Sequence, residues 1–185
     1  MFKHDLGDGA DLRIFDRAQA SAFVTLVQEN RDYFGAWLDW AYNINTIEAA
    51  EAFIKRGMNR YTEDGLPMTS IWLHNRMVGG VMFFPVEWHA RSTMIGYWLS
   101  QDATGQGVMS RAIKAMLGFA FDDLHLNRIT LEAEVNNRPS RAVAERVGFA
   151  FEGVHRHGWV RGGNFVDLAA YAMLASDWQK IKAER

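Results

Sequence analysis

The sequence contains no cysteine in its 185 residues. This absence excludes disulfide bonds, thiolate metal sites and a cysteine nucleophile, and it suits a reducing compartment. No stretch approaches the roughly 20 apolar residues of a transmembrane helix, and no basic segment joined to an apolar run lies near the N-terminus. The sequence therefore predicts a soluble protein of the cytoplasm with no membrane partner.

The sequence also has little net charge and few prolines. The formal net charge is -2 and the Lys and Arg residues are scattered, which argues against a nucleic-acid partner. The three prolines, Pro67, Pro85 and Pro139, each lie where a periodic pattern begins or ends. No linker, repeat or low-complexity segment interrupts the chain, and 49% of its residues are hydrophobic. A single domain over residues 1–185 is the prediction.

Hydrophobic periodicity in the first half predicts a strand, two helical segments and then three strands. The stretch DLRIF alternates like a strand, and the residues after it favour one broken helix or two short ones. The next helix begins after Thr46 as N-cap and stops at Gly65. Two apolar runs flank the polar His74-Asn75-Arg76, which indicates a hairpin. After this hairpin, RSTMIGYWLS is predicted as the last of the three strands.

The second half predicts the order α, β, α, β, β. A helical pattern starts at Val108, the stretch NRITLEAEV alternates as a strand, and Pro139 opens a short helix. The stretches FAFEGVHRHGWV and FVDLAAYAML complete the chain as two strands. The whole sequence therefore predicts an α/β protein of the α+β kind.

Two glycines, Gly105 and Gly107, separate the RSTMIGYWLS strand from the helix that starts at Val108. Glycines in such a turn let the backbone approach an anion, and the first amides of the helix point at it. The chain has neither GxxxxGK[ST] nor GxGxxG, so nucleotide hydrolysis and dinucleotide binding are not supported. The turn is predicted to cradle a phosphate group, and an ordinary loop is the alternative.

The segments IGYWLSQDATGQGVMSRAI, NNRPSRAVAERVGFAFEG, GGNFVDLAAYAML and RDYFGAWLDW, in this order and spacing, resemble the GCN5-related N-acetyltransferase superfamily. More narrowly they resemble its RimJ/RimL branch, whose members acetylate N-terminal amines of ribosomal proteins. The resemblance implies a mixed, mostly antiparallel central sheet flanked by helices. It also implies a gap between the IGYWLS and NRITLEAEV strands that admits the pantetheine arm of acetyl-CoA.

The same resemblance implies the residues that bind acetyl-CoA. Main-chain groups of Trp98, Leu99 and Ser100 pair with the pantetheine arm, and Asn137 reaches the arm from the other side. The loop and first helical turn hold the pyrophosphate through the amides of Gly105, Gln106, Gly107, Val108, Met109 and Ser110. The superfamily pattern has Gln or Arg where this chain has Thr104, and Gly or Ala where it has Met109.

Acetyl transfer needs an unprotonated amine, stabilisation of charge on the carbonyl oxygen and a proton for the departing thiolate. The resemblance implies Ser140 as the proton donor and the Leu99 N–H as the group that polarises the carbonyl. An alternative for Ser140 is a first-turn helix residue that satisfies its own backbone. No metal is expected, because the histidines lack a carboxylate at ligand spacing.

The general base has several candidates. Glu132 and Glu134 share one face of the NRITLEAEV strand, since side chains alternate along a strand, and Glu134 is preferred because it is nearer the Asn of the motif. A solvated strand face is the alternative for both. His155 and His157 also alternate onto one face, and histidine titrates near neutral pH. The alternative for both is a hydrogen-bonded polar residue, which is the more common role of a lone histidine. A dedicated base is barely needed, because an α-amine has a pKa near 8.

The acceptor amine is left open between three hypotheses. The first is the N-terminus of a protein, preferably ribosomal, and the second is a small amine such as a polyamine or an aminoglycoside. The third is a non-catalytic sensor that only binds acetyl-CoA, and a homodimer is possible for each. Four aromatic residues could form a wall of the acceptor cleft or belong to the core, and Trp88 and His89 could form a lid. The four are Tyr33, Phe34, Trp37 and Trp40.

Overall fold

A computed structural model describes residues 3–184, without the side chain of Asp64. The strands are β1 Lys3–Gly7, β2 Ala10–Ile14, β3 Thr69–Leu73, β4 Arg76–Phe83, β5 Ser92–Leu99, β6 Arg128–Glu134, β7 Ala150–Arg161 and β8 Asn164–Leu174. The helices are α1 Ala20–Glu29, α2 Arg31–Gly35, α3 Ile47–Asp64, α4 Val108–Gly118, α5 Arg138–Val147 and α6 Ala175–Ala183. The described strands and helices follow the predicted order, with one further strand and one further helix.

The chain contacts form two compact units. The first contains the residues up to Phe83 together with Tyr97–Ala112. Its strands β1, β2, β3 and β4 pair antiparallel in sequence order. Its core packs α1 and α3 against the residue that follows β2, through apolar side chains that are almost fully buried, among them Phe15, Phe23 and Ile54.

Local signals in the first unit act as the sequence predicts. The Thr46 hydroxyl accepts a hydrogen bond from the amide of Ala49 and caps α3, which ends at Gly65 with φ 73°. His74 and Asn75 have φ values of 47° and 63° between β3 and β4. Positive φ at both central residues belongs to the two-residue hairpin turns whose twist matches the strands. These caps and turns are therefore confirmed.

The second unit contains Phe84–Gly96 and the residues from Ile113 onward. β6 pairs antiparallel with β8 along its length, and β8 pairs antiparallel with β7. β5 and β6 run parallel, and their pairing covers only Ser92–Met94 against residues 128–130 although both strands continue. The strands are therefore mixed and mostly antiparallel, as predicted, and β5 and β6 part after three residues.

Two elements were missing from the sequence prediction. β1 has the sequence KHDLG, in which only Leu6 is buried, so it carries little hydrophobic pattern. The helix α6 likewise buries only Trp178. Its indole N–H donates to Asp122 Oδ2 at 3.1 Å, a contact 56 residues away along the chain. Both elements depend on long-range contacts that periodicity does not report.

The structure tests one further expectation. Among residues 3–184, no helix has the length and apolarity that would let it cross a membrane. The single domain over residues 1–185 stays a prediction.

Candidate functional site

The end of β5 lies close against β4 in the first unit. A Cβ added at Gly79 would stand 2.2 Å from the carbonyl oxygen of Trp98 and 3.1 Å from Cα of Leu99, so only glycine fits there. The amide of Ser100 donates to the carbonyl of Val78 at 2.7 Å. The main chain of residues 98–100, predicted to pair with a ligand, is thus fixed from the β4 side.

A polar network supports the loop that follows β5. The fully buried Ser100 donates its hydroxyl to Asp102 Oδ1 at 2.6 Å, and Arg76 contacts the other oxygen of this carboxylate. The amide of Gln101 donates to Asn30 Oδ1 at 3.0 Å. The pKa of Asp102 lies below its ordinary value, first because Ser100 donates to the carboxylate and then because of Arg76, against partial desolvation. The charged carboxylate therefore braces the loop.

The two glycines of the loop both have left-handed backbones. Gly105 has φ 78° and Gly107 has φ 71°, a region in which a side chain is strained. The carbonyl of Gly107 accepts from the amide of Arg111 at 3.1 Å and starts α4. The glycines are therefore required by the turn that delivers the chain into the helix.

The first turn of α4 has the properties of an anion site. Val108 and Met109 are 1% and 5% exposed, so their side chains face the core and their main-chain amides are what the turn can offer. The hydroxyl of Ser110 is buried, and among the described residues it has no hydrogen-bond partner. A buried hydroxyl without a hydrogen-bond partner lowers the stability of the fold unless a bound group pairs with it. An anionic group bound at this turn would satisfy both the amides and Ser110.

Asn137 and Ser140 lie in the second unit, at the start of α5. Oδ1 of Asn137 accepts from the amide of Ser140 at 3.3 Å and caps the helix. Next to Ser140, Arg141 donates to the Tyr171 hydroxyl at 3.0 Å and to the carbonyl of Val135 at 3.1 Å. Burial is the main reason that the pKa of Tyr171 is raised. These contacts fix the first turn of α5, and the binding role of Asn137 and the catalytic role of Ser140 stay predictions.

The cap predicts the effect of one substitution. Asn137→Ala is expected to lower the free energy of unfolding by about 1 kcal/mol, because the N-terminus of α5 loses its side-chain acceptor. Asn137→Asp keeps an acceptor oxygen and is expected to retain most of the stability. Urea denaturation of the three proteins measures this, and an alanine variant as stable as the wild type would contradict the cap.

The two glutamates of β6 have different partners. Glu134, the preferred general base, accepts from Arg161 Nε at 2.8 Å, and its side chain is 13% exposed. Glu132 Oε1 lies 3.0 Å from Nδ1 of His155 and is 30% exposed. His157 is oriented differently, because its ring stacks on Phe165 with centroids 5.4 Å apart. The structure thus separates the four candidates for proton acceptor into an ion pair, a carboxylate–imidazole pair and a stacked ring.

The aromatic residues proposed as an acceptor wall are largely core. Phe34 is 2% exposed, and Tyr33 and Trp40 pack against the same core. The Trp98 side chain joins this core, with its ring centroid 5.3 Å from that of Trp40. Trp88 is half exposed in the connection between β4 and β5. The core alternative is therefore confirmed for Phe34, and a lid formed by Trp88 and His89 stays a prediction.

Sequence reasoning missed the residues that brace this site. Asn30 and Gln101 are 71 positions apart, and Arg161 and Glu134 are 27 apart, so no local pattern relates them.

Among residues 3–184, no group of three or more His, Asp or Glu side chains could hold a metal ion.

Known proteins resemble this chain along most of its length. Residues 11–150 match the acetyltransferase (GNAT) domain. "Putative ribosomal N-acetyltransferase YdaF" of Bacillus subtilis (strain 168) is 28% identical over 183 residues, 98% of this chain and 100% of that protein.

Two solved structures support the same likeness. RimL, named as the ribosomal L7/L12 alpha-N-protein acetyltransferase and solved with coenzyme A, has a TM-score of 0.88 at 25% identity over 94% of this chain and 98% of its own. The microcin C7 self-immunity acetyltransferase MccE, solved with acetyl-CoA and AMP, has a TM-score of 0.85 at 25% identity over 91% of this chain and 94% of its own. Both have the fold described above.

Proposed function

Because the chain belongs to the GNAT acetyltransferase family, we propose that this N-acetyltransferase acetylates the N-terminal α-amine of a protein, with a ribosomal protein as the preferred acceptor. The observation that carries the proposal is the near full-length likeness to proteins named for ribosomal acetylation, YdaF and RimL. A cytoplasmic location and a homodimer belong to the same proposal.

Acetyl-CoA is the cosubstrate, and it supplies an activated acetyl group as a thioester. Three features support binding of its pyrophosphate at the loop: the glycines, the first-turn amides, and the Ser110 hydroxyl, which has no hydrogen-bond partner among residues 3–184. The amides of Gln106–Ser110 would hold that group, and the main chain of residues 98–100 would pair with the pantetheine arm. Asn137 is also assigned to the pantetheine arm.

Two residues are assigned to the charges that develop during transfer. The Leu99 N–H would donate to the carbonyl oxygen of the acetyl group as it gains negative charge. The Ser140 hydroxyl would give its proton to the departing thiolate. The helix cap at this position uses the backbone amide of Ser140.

Glu134 is assigned as the acceptor of the proton that the amine nitrogen loses on attack. Glu134→Gln is expected to lower kcat about tenfold at every pH between 6.5 and 9. This loss is smaller than the usual contribution of a positioned base, because the amine nitrogen becomes acidic once it bonds to the thioester carbon. The matched control is Arg161→Gln, which breaks the same ion pair but keeps the carboxylate. Equal losses in both variants would show that the ion pair has a structural role only.

The test of the proposed function uses the purified protein, acetyl-CoA and an extract of ribosomal proteins. Intact masses and N-terminal fragments are then measured. We expect one protein to gain an acetyl group on its α-amine, which also identifies the acceptor. Binding of acetyl-CoA without protein modification would transfer the proposal to a small amine, and binding without turnover on any amine would favour a sensor.

A further inference from the structure

Glu132 and His155 contact each other across an intervening strand. Glu132 lies on β6 and His155 on β7, and β8 separates the two strands. Two strand spacings amount to about 10 Å, so this contact needs long side chains and room above β8. Ala170 provides the room, because it pairs with Glu132 on one side and with Gly153 on the other. The 3.0 Å approach of Nδ1 to Oε1 is therefore built into the sheet.

A bulge in β7 fixes the position of His155. The pairing with β8 is regular from Gly153 to His155 and resumes at Trp159, and in between His157 has φ 53°. The amide of His157 donates to Asp167 Oδ1 at 2.8 Å and holds the bulge. A Cβ on Gly158 would stand 3.1 Å from Cβ of His155, so the bulge closes against that residue. Bulges are over-represented next to active sites, where they redirect a side chain.

Glu132 also lies on the segment of β6 that no longer pairs with β5. The parallel pairing ends at Thr130, and Glu132 follows two residues later on the same strand. The His155 side chain is 59% exposed. Because Nδ1 faces the carboxylate, Nε2 lies on the opposite side of the ring. The imidazole can thus exchange protons with solvent while Glu132 fixes its orientation.

The proposed reaction releases one net proton, which such a group can accept. An α-ammonium and a thioester give an amide, a thiol and one proton: the C–N bond forms and the C–S bond breaks. One proton from nitrogen balances the one that the thiolate takes up, and the other leaves to solvent before attack. We propose that His155, oriented by Glu132, accepts this second proton from the α-ammonium and releases it to water. This proposal rests on the proposed function.

Several charged groups surround His155. Glu132 comes from β6, and Glu152 of its own strand is held by Arg128. Asp167 of β8 is tied to the bulge, and Glu134 is paired with Arg161. Arg156 and His157 are the remaining titratable neighbours in β7. His155 faces a carboxylate at hydrogen-bond distance, whereas His157 stacks on Phe165.

The test compares His155→Asn with His157→Asn on an acceptor peptide from pH 6.5 to 9. Asparagine tolerates the left-handed backbone of His157, so that variant is a matched control. We expect His155→Asn to lower kcat/KM about tenfold at pH 7, because about a tenth of an α-amine with a pKa near 8 is already unprotonated. The deficit should nearly vanish at pH 9, and His157→Asn should follow the wild type throughout.

Glu132→Gln keeps an acceptor for Nδ1 and removes the charge, so a smaller loss with the same pH dependence is expected. A pH-independent deficit in His155→Asn, or wild-type activity of that variant at pH 7, would overturn the inference. Equal losses in the two histidine variants would do the same. If the wild type acetylates no peptide at any pH, the proposed function fails instead.

Discussion

Replacing Gly107 by valine is expected to weaken the binding of acetyl-CoA by about fiftyfold, measured by calorimetry. Gly107 has φ 71°, and a β-branched residue there costs about 1–3 kcal/mol of strain or forces the loop into another conformation. Each 1.4 kcal/mol corresponds to about a tenfold change in affinity. The amides of the first turn of α4 would then no longer converge on the pyrophosphate.

The matched control for this prediction is Gly163→Val. Gly163 has φ 81° in the turn between β7 and β8, and a Cβ there meets nothing within 4 Å, so the backbone strain is similar. Both variants are expected to lose stability, but only Gly107→Val should lose affinity. Unchanged affinity of Gly107→Val, or an equal loss in both variants, would contradict the assignment of this loop to the pyrophosphate.

Removing the hydroxyl of Ser140 is expected to lower kcat about a hundredfold while the KM for acetyl-CoA changes little. The size follows from the usual contribution of a positioned proton donor. The cap of α5 should survive in Ser140→Ala, because Asn137 accepts from the backbone amide of residue 140. Steady-state release of the thiol measures both constants.

Ser140→Thr is the control for this substitution, since it restores a hydroxyl at the same position. We expect it to recover a large part of the activity lost in Ser140→Ala. Circular dichroism and thermal unfolding should be the same for all three proteins. A kcat of Ser140→Ala close to that of the wild type would return Ser140 to the alternative of a first-turn helix residue.

Features that depend on a few adjacent residues could be predicted from the sequence. Thr46 and Gly65 delimit α3, and the turn at residues 74–75 joins two strands, because caps and turns are decided by local sterics and hydrogen bonds. The glycine turn before α4 belongs to the same class. The order of the other elements, except β1 and α6, followed from periodicity.

Features that depend on distant residues could not. The ion pair of Glu134 with Arg161 joins residues 27 apart, and it gives the predicted base a partner that alternation does not reveal. The bulge in β7 also breaks the alternation that placed His155 and His157 on one face. The sequence therefore identified the candidate residues more completely than the contacts that distinguish them.

The bulge in β7 also affects the tendency of the protein to aggregate through this strand. β7 pairs with β8, and it carries exposed aromatic side chains, among them Phe151 at 54% and Trp159 at 53%. A long, straight and apolar edge strand is a template for aggregation. Irregularities in the pairing divide this strand into residues 150–151, 153–155 and 159–161, so an incoming chain meets only short ladders. The distortion that orients His155 thus also limits self-association through the open strand.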